Sequence, residues 1–286
     1  MSNEEVLESL TLLKMLLRHQ EPRRMLAKGR HVLALSFAMG AAVDPRCSKS
    51  ILIESGNVLC NYLREPGAQE RLIFCGSQFV LMMRAVLGHL LYVSDEKCLI
   101  SMVGVIQGLC SVKAGRREVW KILVGEGTSD DDDKENSVAT AASISMIDDF
   151  FTKLHLLLEG SKSIMLLRRV LGLLANASCD EFGQRFIACF QGTGSTFADV
   201  IQEQMLTSIP DRQVVLSALS VLSHLADGIE WSQSGWRKVC DLVGCGDVEV
   251  ACKALECVVR SGSSSSKAGK LALTDLLVCG VITCAL

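Results

Sequence analysis

The residues of this chain best suited to chemistry are its thirteen cysteines and five histidines. Four of the cysteines, Cys240, Cys245, Cys252 and Cys257, follow one another at spacings of 5, 7 and 5. Structural zinc sites use tighter pairs, usually with two to four residues between ligands, and use them twice. Cys252 and Cys257 also lie in the run VACKALECVV, whose spacing suits a packed helix, so these thiols are predicted to fill a core as small hydrophobes. A nucleophilic mechanism would need a Cys or Ser beside a base held by a third group. The sequence carries no nucleophile elbow, no paired-histidine motif and no phosphate-cradling loop; the GEG at Gly125 to Gly127 lacks the Lys-Ser/Thr that such a loop requires. The expectation is a protein that is not an enzyme, with no catalytic residues, no metal and no cofactor.

Two charged stretches stand out. Arg18, His19, Arg23, Arg24, Lys28, Arg30 and His31 form the densest positive region. It reads first as a solvated turn between helices. The alternative is a contact for phosphates, as in a nucleic-acid-associated subunit of a chromatin or recombination complex. The formal net charge of -3 and pI near 6.0 lack the basic field of a nucleic-acid binder, and no aromatic residues interleave with the cluster to stack on bases. The second stretch is acidic: Asp130 to Asp133, followed by Lys134, Glu135 and Asn136. The triplet resembles the degradation box read by the mitotic ubiquitin ligase, which would make the chain cell-cycle regulated; its plainer reading is a solvating loop. Trp231 and Trp236 flank a polar turn, and are expected to close the core between helices, with one of them a candidate binding anchor.

The elements that must position these residues are helices. Apolar residues make up 49% of the chain and aromatics 5%, so Leu, Val, Ile, Ala and Met have to build the core. Ile164, Leu167, Val170, Leu171 and Leu174 mark one face of a helix with a period near 3.6 residues. Leu72, Ile73, Phe79, Val80, Met83, Val86, Leu87 and Leu90 do the same across a break at Gly76, and the four prolines (Pro22, Pro45, Pro66, Pro210) fall at or near predicted breaks.

The helices repeat. Aligned at the polar break after each apolar run, the stretches Leu12 to Gly29, Leu59 to Gly76, Val105 to Leu123, Leu173 to Phe190 and Val221 to Cys240 superimpose, with a looser copy at Ala254 to Leu273. Lys14, Asn61, Gly108, Asn176 and His224 are then equivalent, at spacings of 47, 47, 68 and 48. The long interval contains Gly125 to Ser145, an acidic, Ser/Thr/Gly-rich stretch read as a disordered insert, since such composition cannot offset the entropy of ordering. The predicted organisation is therefore repeats over 1–124, the insert over 125–145 and further repeats over 146–286, in one continuous solenoid.

A helical period of 40 to 47 residues is that of armadillo and HEAT units. The run LGLLANASCDEFGQRFIACF resembles the join between two armadillo repeats: Leu173, Leu174, Ala175, Asn176 and Ala177 match the end of one unit, and Gln184, Phe186 and Ile187 the start of the next, with Asn61 and Gln69 echoing it. The resemblance implies an all-α, armadillo-like right-handed α-solenoid of about five to six degenerate helical repeats. It also implies a protein-protein interaction scaffold or adaptor that holds a partner peptide or helix along a concave groove. The groove would draw on the last helix of each unit, with Lys14, Arg18, Asn61, Arg64, Gln107, Arg168, Asn176, Ser220 and His224 as its polar members. The chain departs from the import receptors of that family, which carry Asn in each repeat and Trp one turn earlier; only two of five positions here are Asn, and Gly172 precedes Asn176.

No segment reaches the roughly 18 apolar residues of a membrane span, and MSNEEVLESL lacks the basic and apolar regions of a secretory signal. With an odd number of cysteines, these features lead to the expectation of a reducing, intracellular setting, cytoplasmic or nuclear, and no membrane partner. The apolar end VCGVITCAL lacks a polar capping helix, so either a longer parent protein or self-association through the C-terminal helix is expected.

Overall fold

The computed structural model describes residues 2–28, 32–44, 47–125, 138–192, 194–226 and 228–263. Among these residues there is no β-strand, and extended pairing is limited to an isolated bridge between Gln191 and Thr196. The chain divides into two compact units, Met1–Lys153 and Leu154–Leu286.

The first unit contains α1 (Asn3–Leu16), α2 (Gln20–Lys28), α3 (Val32–Val43), α4 (Lys49–Tyr62), α5 (Ala68–Ile73), α6 (Ser77–Tyr92), α7 (Glu96–Cys110), α8 (Lys113–Val124) and the start of α9 (Val138–Gly160). Local signals set many of the ends. Ser2, Ser48 and Asp95 cap α1, α4 and α7 by accepting backbone N–H groups of the first turn. Gly125 ends α8 at φ 80, a left-handed conformation that favours glycine. Helices α1, α4 and α7 lie side by side in a row, and α3 and α6 form a second layer behind α4 and α7. Between the layers Ile51, Val58, Leu59, Met82, Met83, Val86, Met102, Val103 and Ile106 are fully buried. Each such side chain contributes about 1.5–3 kcal/mol relative to exposure. Gly56 lets α4 and α7 approach closely: a Cβ there would stand 2.2 Å from Ser101 Oγ, which itself donates to Ile53 O at 3.0 Å.

The second unit has the remainder of α9, then α10 (Ile164–Ala177), α11 (Glu181–Cys189), α12 (Phe197–Val200), a π-helical stretch Ile201–Met205, α13 (Leu206–Ser208), α14 (Arg212–Leu225), α15 (Gln233–Val243) and α16 (Val248–Ser263). Here α10, α14 and α16 form the row, and α15 packs on α16 and α13. His155 is buried in this unit, with the rings of Phe190 and Phe197 at 5.7 and 5.2 Å, and Ser195 Oγ within 3.3 Å of its Nε2.

One local expectation shifts, and two positions are refined. Helix α9 begins at Val138, inside the stretch expected to be an insert; Ala139, Ala141 and Ala142 are strong helix formers that composition alone had grouped with the loop. Pro22, expected at or near a break, stands in the first turn of α2, where its missing N–H costs no helical bond. Asn176 belongs to the last turn of α10, which continues through Ala177 because the Ser178 N–H still bonds Leu174 O at 2.8 Å.

Candidate partner-binding surface

In the first unit α4 is flanked by α1 and α7 and backed by α3, and in the second α14 is flanked by α10 and α16 and backed by the π-helical stretch, which leaves one face of each more open. On α4 that face carries Glu54, Asn57 and Asn61, half-buried, and Arg64 just past the helix end extends the stripe at helical spacing and is exposed. On α14 it carries Gln213, Ser220 and His224, and on α16 Lys253, Glu256 and Arg260. The nine predicted groove residues all fall on α1, α4, α7, α10 or α14 or on the residue or two that follow them. The structure distributes them as two sets, Lys14, Arg18, Asn61, Arg64 and Gln107 in the first unit and Arg168, Asn176, Ser220 and His224 in the second.

Most of the polar groups on these faces bind neighbouring helices. Lys14 Nζ pairs with Glu54 Oε2 at 2.5 Å, and Asn61 Nδ2 donates to Lys14 O at 3.2 Å, so α1 and α4 are joined twice across the open side. Arg168 grips Asp211 through both Nε (3.0 Å) and Nη2 (2.6 Å). The guanidinium holds the Asp211 carboxyl down to about 2, while Asp211 also caps α14 by accepting from Val214 N. Arg212 makes the same kind of fork to Asp247, the residue before α16, and Lys49 pairs with Asp95 before α7. The row helices are thus pinned at their N-terminal ends by a cation reaching the carboxylate that starts the next helix. At the end of α10, Ser178 Oγ lies 3.0 Å from Ala175 O and 2.9 Å from Nδ1 of His224 on α14, which ties the two helices together. Lys253 and Arg260 bracket Glu256, whose carboxyl is held low chiefly by the Lys253 hydrogen bond.

A second repeated device sits at the joints. Four side chains donate to the carbonyl six residues before them, at the end of a row helix: Arg23 to Leu17 O (3.0 Å), Gln69 to Leu63 O (2.9 Å), Arg116 to Cys110 O (2.9 Å) and Gln184 to Ser178 O (2.9 Å). Each supplies a donor to a carbonyl that a helix C-terminus leaves without one. Arg23, Gln69, Arg116 and Gln184 are spaced by 46, 47 and 68, the interval of the sequence repeat. At the fifth joint Gln202 takes over, donating to Glu230 O at 3.0 Å and accepting from Ser232 N at 2.8 Å.

No protein-family model matches the chain, and no curated protein matches it. Solved structures do. The designed armadillo repeat protein YIII(Dq)4CqI is similar over 91% of this chain and 100% of its own, at 12% identity and a TM-score of 0.59. The fold is armadillo-like. A set of computationally designed armadillo repeat proteins for modular peptide recognition (13% identity, 91% and 99% covered, TM-score 0.56) and a designed armadillo repeat protein in complex with the peptide (KR)4 (12%, 90% and 98%, TM-score 0.56) agree with it.

Within that armadillo-like fold, sequence reasoning missed Glu54, Asn57, Lys253, Glu256 and Arg260 on the open faces. Their signal was available, since each lies three, four or seven residues from another stripe position on its own helix. The thiols of the suspected cluster divide: Cys257 is buried on α16, donates to Leu219 O at 3.0 Å and is pushed up to about 12 by burial, whereas Cys252 is exposed. Among the described residues, no three metal-ligating side chains come together. Trp231 and Trp236 are both half-buried and pack edge to face at 5.2 Å. Of the basic cluster, Arg24 pairs with Glu65 and Glu21, and Arg23 bonds Leu17 O and Arg18 O, while Arg30 and His31 lie outside the described residues. The triplet Lys134, Glu135 and Asn136 and the C-terminal run from 264 to 286 also lie outside them. Among the described residues no helix is long and apolar enough to cross a membrane.

Proposed function

We propose that this chain is a non-catalytic interaction scaffold that holds a peptide or helix of a partner protein against the open faces of its row helices. The observation that carries the reading is the stripe of polar side chains on those faces, held in fixed rotamers by bonds between neighbouring helices, as at Lys14, Glu54 and Asn61. Such a surface is preorganised, so a ligand that lies across it loses less free energy to ordering the site. Polar groups fix the register of an extended or helical segment, and apolar surface between them supplies the affinity. The designed relative solved with a (KR)4 peptide supports the reading as an example of what this fold can hold.

The experiment is cross-linking of captured partners from cell extract, with mapping of the cross-linked residues. Contacts on the open faces of α4 and α7, or of α14 and α16, support the scaffold; contacts confined to α3, α6 and α15 overturn it. The acidic stretch 125–145 is read as a regulatory appendage in an intracellular protein, with Lys134, Glu135 and Asn136 as a degradation signal. Stability of the Lys134→Ala, Glu135→Ala, Asn136→Ala triple variant through the cell cycle, compared with the parent, tests that part. The nucleic-acid reading is weaker, because Arg23 and Arg24 already serve internal bonds.

A further inference from the structure

Two arginines at the C-terminal ends of α1 and α4 hold no described residue with their side chains. Arg18 follows the capping residue Leu17 of α1, and Arg64 follows the capping residue Leu63 of α4, so they occupy one position of consecutive repeats, 46 residues apart. Both are exposed, and neither makes an ion pair or side-chain hydrogen bond to a described residue. The carboxylates close by are taken: Glu65 faces Arg23 and Arg24, and Glu54 is held by Lys14. The carbonyls that end the two helices are also served, by Arg23 at Leu17 and Arg18 and by Gln69 at Leu63, so neither arginine is needed as a cap.

We infer that Arg18 and Arg64 form a two-point clamp for the carboxylates of an acidic segment in the partner polypeptide, an inference that rests on the scaffold reading above. Arg64 continues the open stripe of Glu54, Asn57 and Asn61, and α1 and α4 pack side by side. Neighbouring helices lie about 8–10 Å apart, and a polyproline II segment rises about 3.1 Å per residue with three residues per turn, so carboxylates three positions apart lie on one face and span that distance. A guanidinium matches a carboxylate through paired donors, which a lysine does not. Arg18 and Arg64 lie five residues before the joint donors Arg23 and Gln69; five before the next donor, Arg116, stands Ser111, whose hydroxyl donates to Gly108 O, so the clamp is confined to two repeats. A single-stranded nucleic acid fits less well. On α1, α4 and α7 the only aromatic residue is Tyr62, which is fully buried, and a strand would find no ring on which to stack.

The test uses the full chain and four fluorescein-labelled probes at low salt: twelve-residue peptides of Glu-Ser-Gly, Gln-Ser-Gly and Lys-Ser-Gly repeats, and a single-stranded DNA twelve-mer. The Glu peptide is expected to bind tightest, losing about three-fold in affinity with Arg18→Ala or Arg64→Ala and about ten-fold with both. Equal binding of the Glu and Gln peptides, or a Glu preference that survives the double variant, overturns the clamp and leaves the scaffold reading standing. If no peptide binds while the thermal transition is intact, the scaffold reading of this row falls with it. Tighter binding of the DNA than of the Glu peptide assigns the arginines to phosphates instead and also overturns the clamp.

Discussion

The side-chain amide of Gln184 donates to the carbonyl of Ser178 at 2.9 Å, turning back over the joint between α10 and α11. Gln69 does the same for Leu63 and extends the bond, reaching Gly108 O at 3.3 Å and Ser111 Oγ at 3.2 Å in the next repeat. Gln69 therefore locks two row helices with one amide. Its replacement by Met is expected to lower stability by about 1–3 kcal/mol, because buried carbonyls lose their donor. Gln184→Met, with a single bond, is expected to cost less. Urea denaturation of both variants checks the order; a Gln69→Met midpoint equal to the parent's would remove the joint from the list of stabilising devices.

Glycines in this chain divide by what lies beside them. A Cβ on Gly115 would come within 1.9 Å of Leu109 O in the last turn of α7, a backbone atom that cannot swing aside as the end of a side chain would. Gly115→Ala is expected to destabilise by about 1–3 kcal/mol or more. Gly88, inside α6, has nothing within 4 Å, so Gly88→Ala is expected to stabilise by about 0.5–1 kcal/mol. Opposite shifts in melting temperature are the expected result.

The Arg168–Asp211 pair gives acid sensitivity a defined sign. The folded carboxyl sits at about 2, below an unfolded value near 3.9, so its contribution is complete above pH of about 4 and is lost as pH falls toward 2. Arg168→Gln should separate from the parent at pH 6 and converge with it near pH 2. The gap at pH 6 should also narrow in high salt, since Arg168 is partly exposed. Parallel denaturation curves across that range would show that the pair does not set the acid limb.

Thiol chemistry should follow burial. Cys179, Cys189 and Cys252 are exposed, whereas Cys98, Cys110 and Cys257 are buried, with burial pushing the Cys98 thiol up and Cys257 to about 12. Mass spectrometry after brief alkylation at pH 8 is expected to find the first three modified and the last three protected until denaturant is added. Early modification of Cys257 would show that α16 opens locally.

Helical spacing and burial of an aliphatic stripe are local properties of a chain, so the helices, their period and the equivalence of Asn61, Gly108 and Asn176 were legible in the sequence, whereas Lys14 stands one residue out of the register that the joint donors Arg23 and Gln69 set. The joint could also be glimpsed there: Gln69 and Gln184 stood out as matching positions, although nothing local says that Arg23 and Arg116 do the same work with a different group. Only the tertiary structure decided which cations are spent. Arg23, Arg24, Arg18 and Arg64 look alike in sequence, yet the first two are bound to carbonyls and Glu65 while the last two face solvent. Lys14 and Arg168, expected as polar members of the groove, are held by Glu54 and Asp211, partners 40 and 43 positions away. Charge pairing across a solenoid depends on which helices become neighbours, and that is settled by packing between repeats rather than by the order of residues within one.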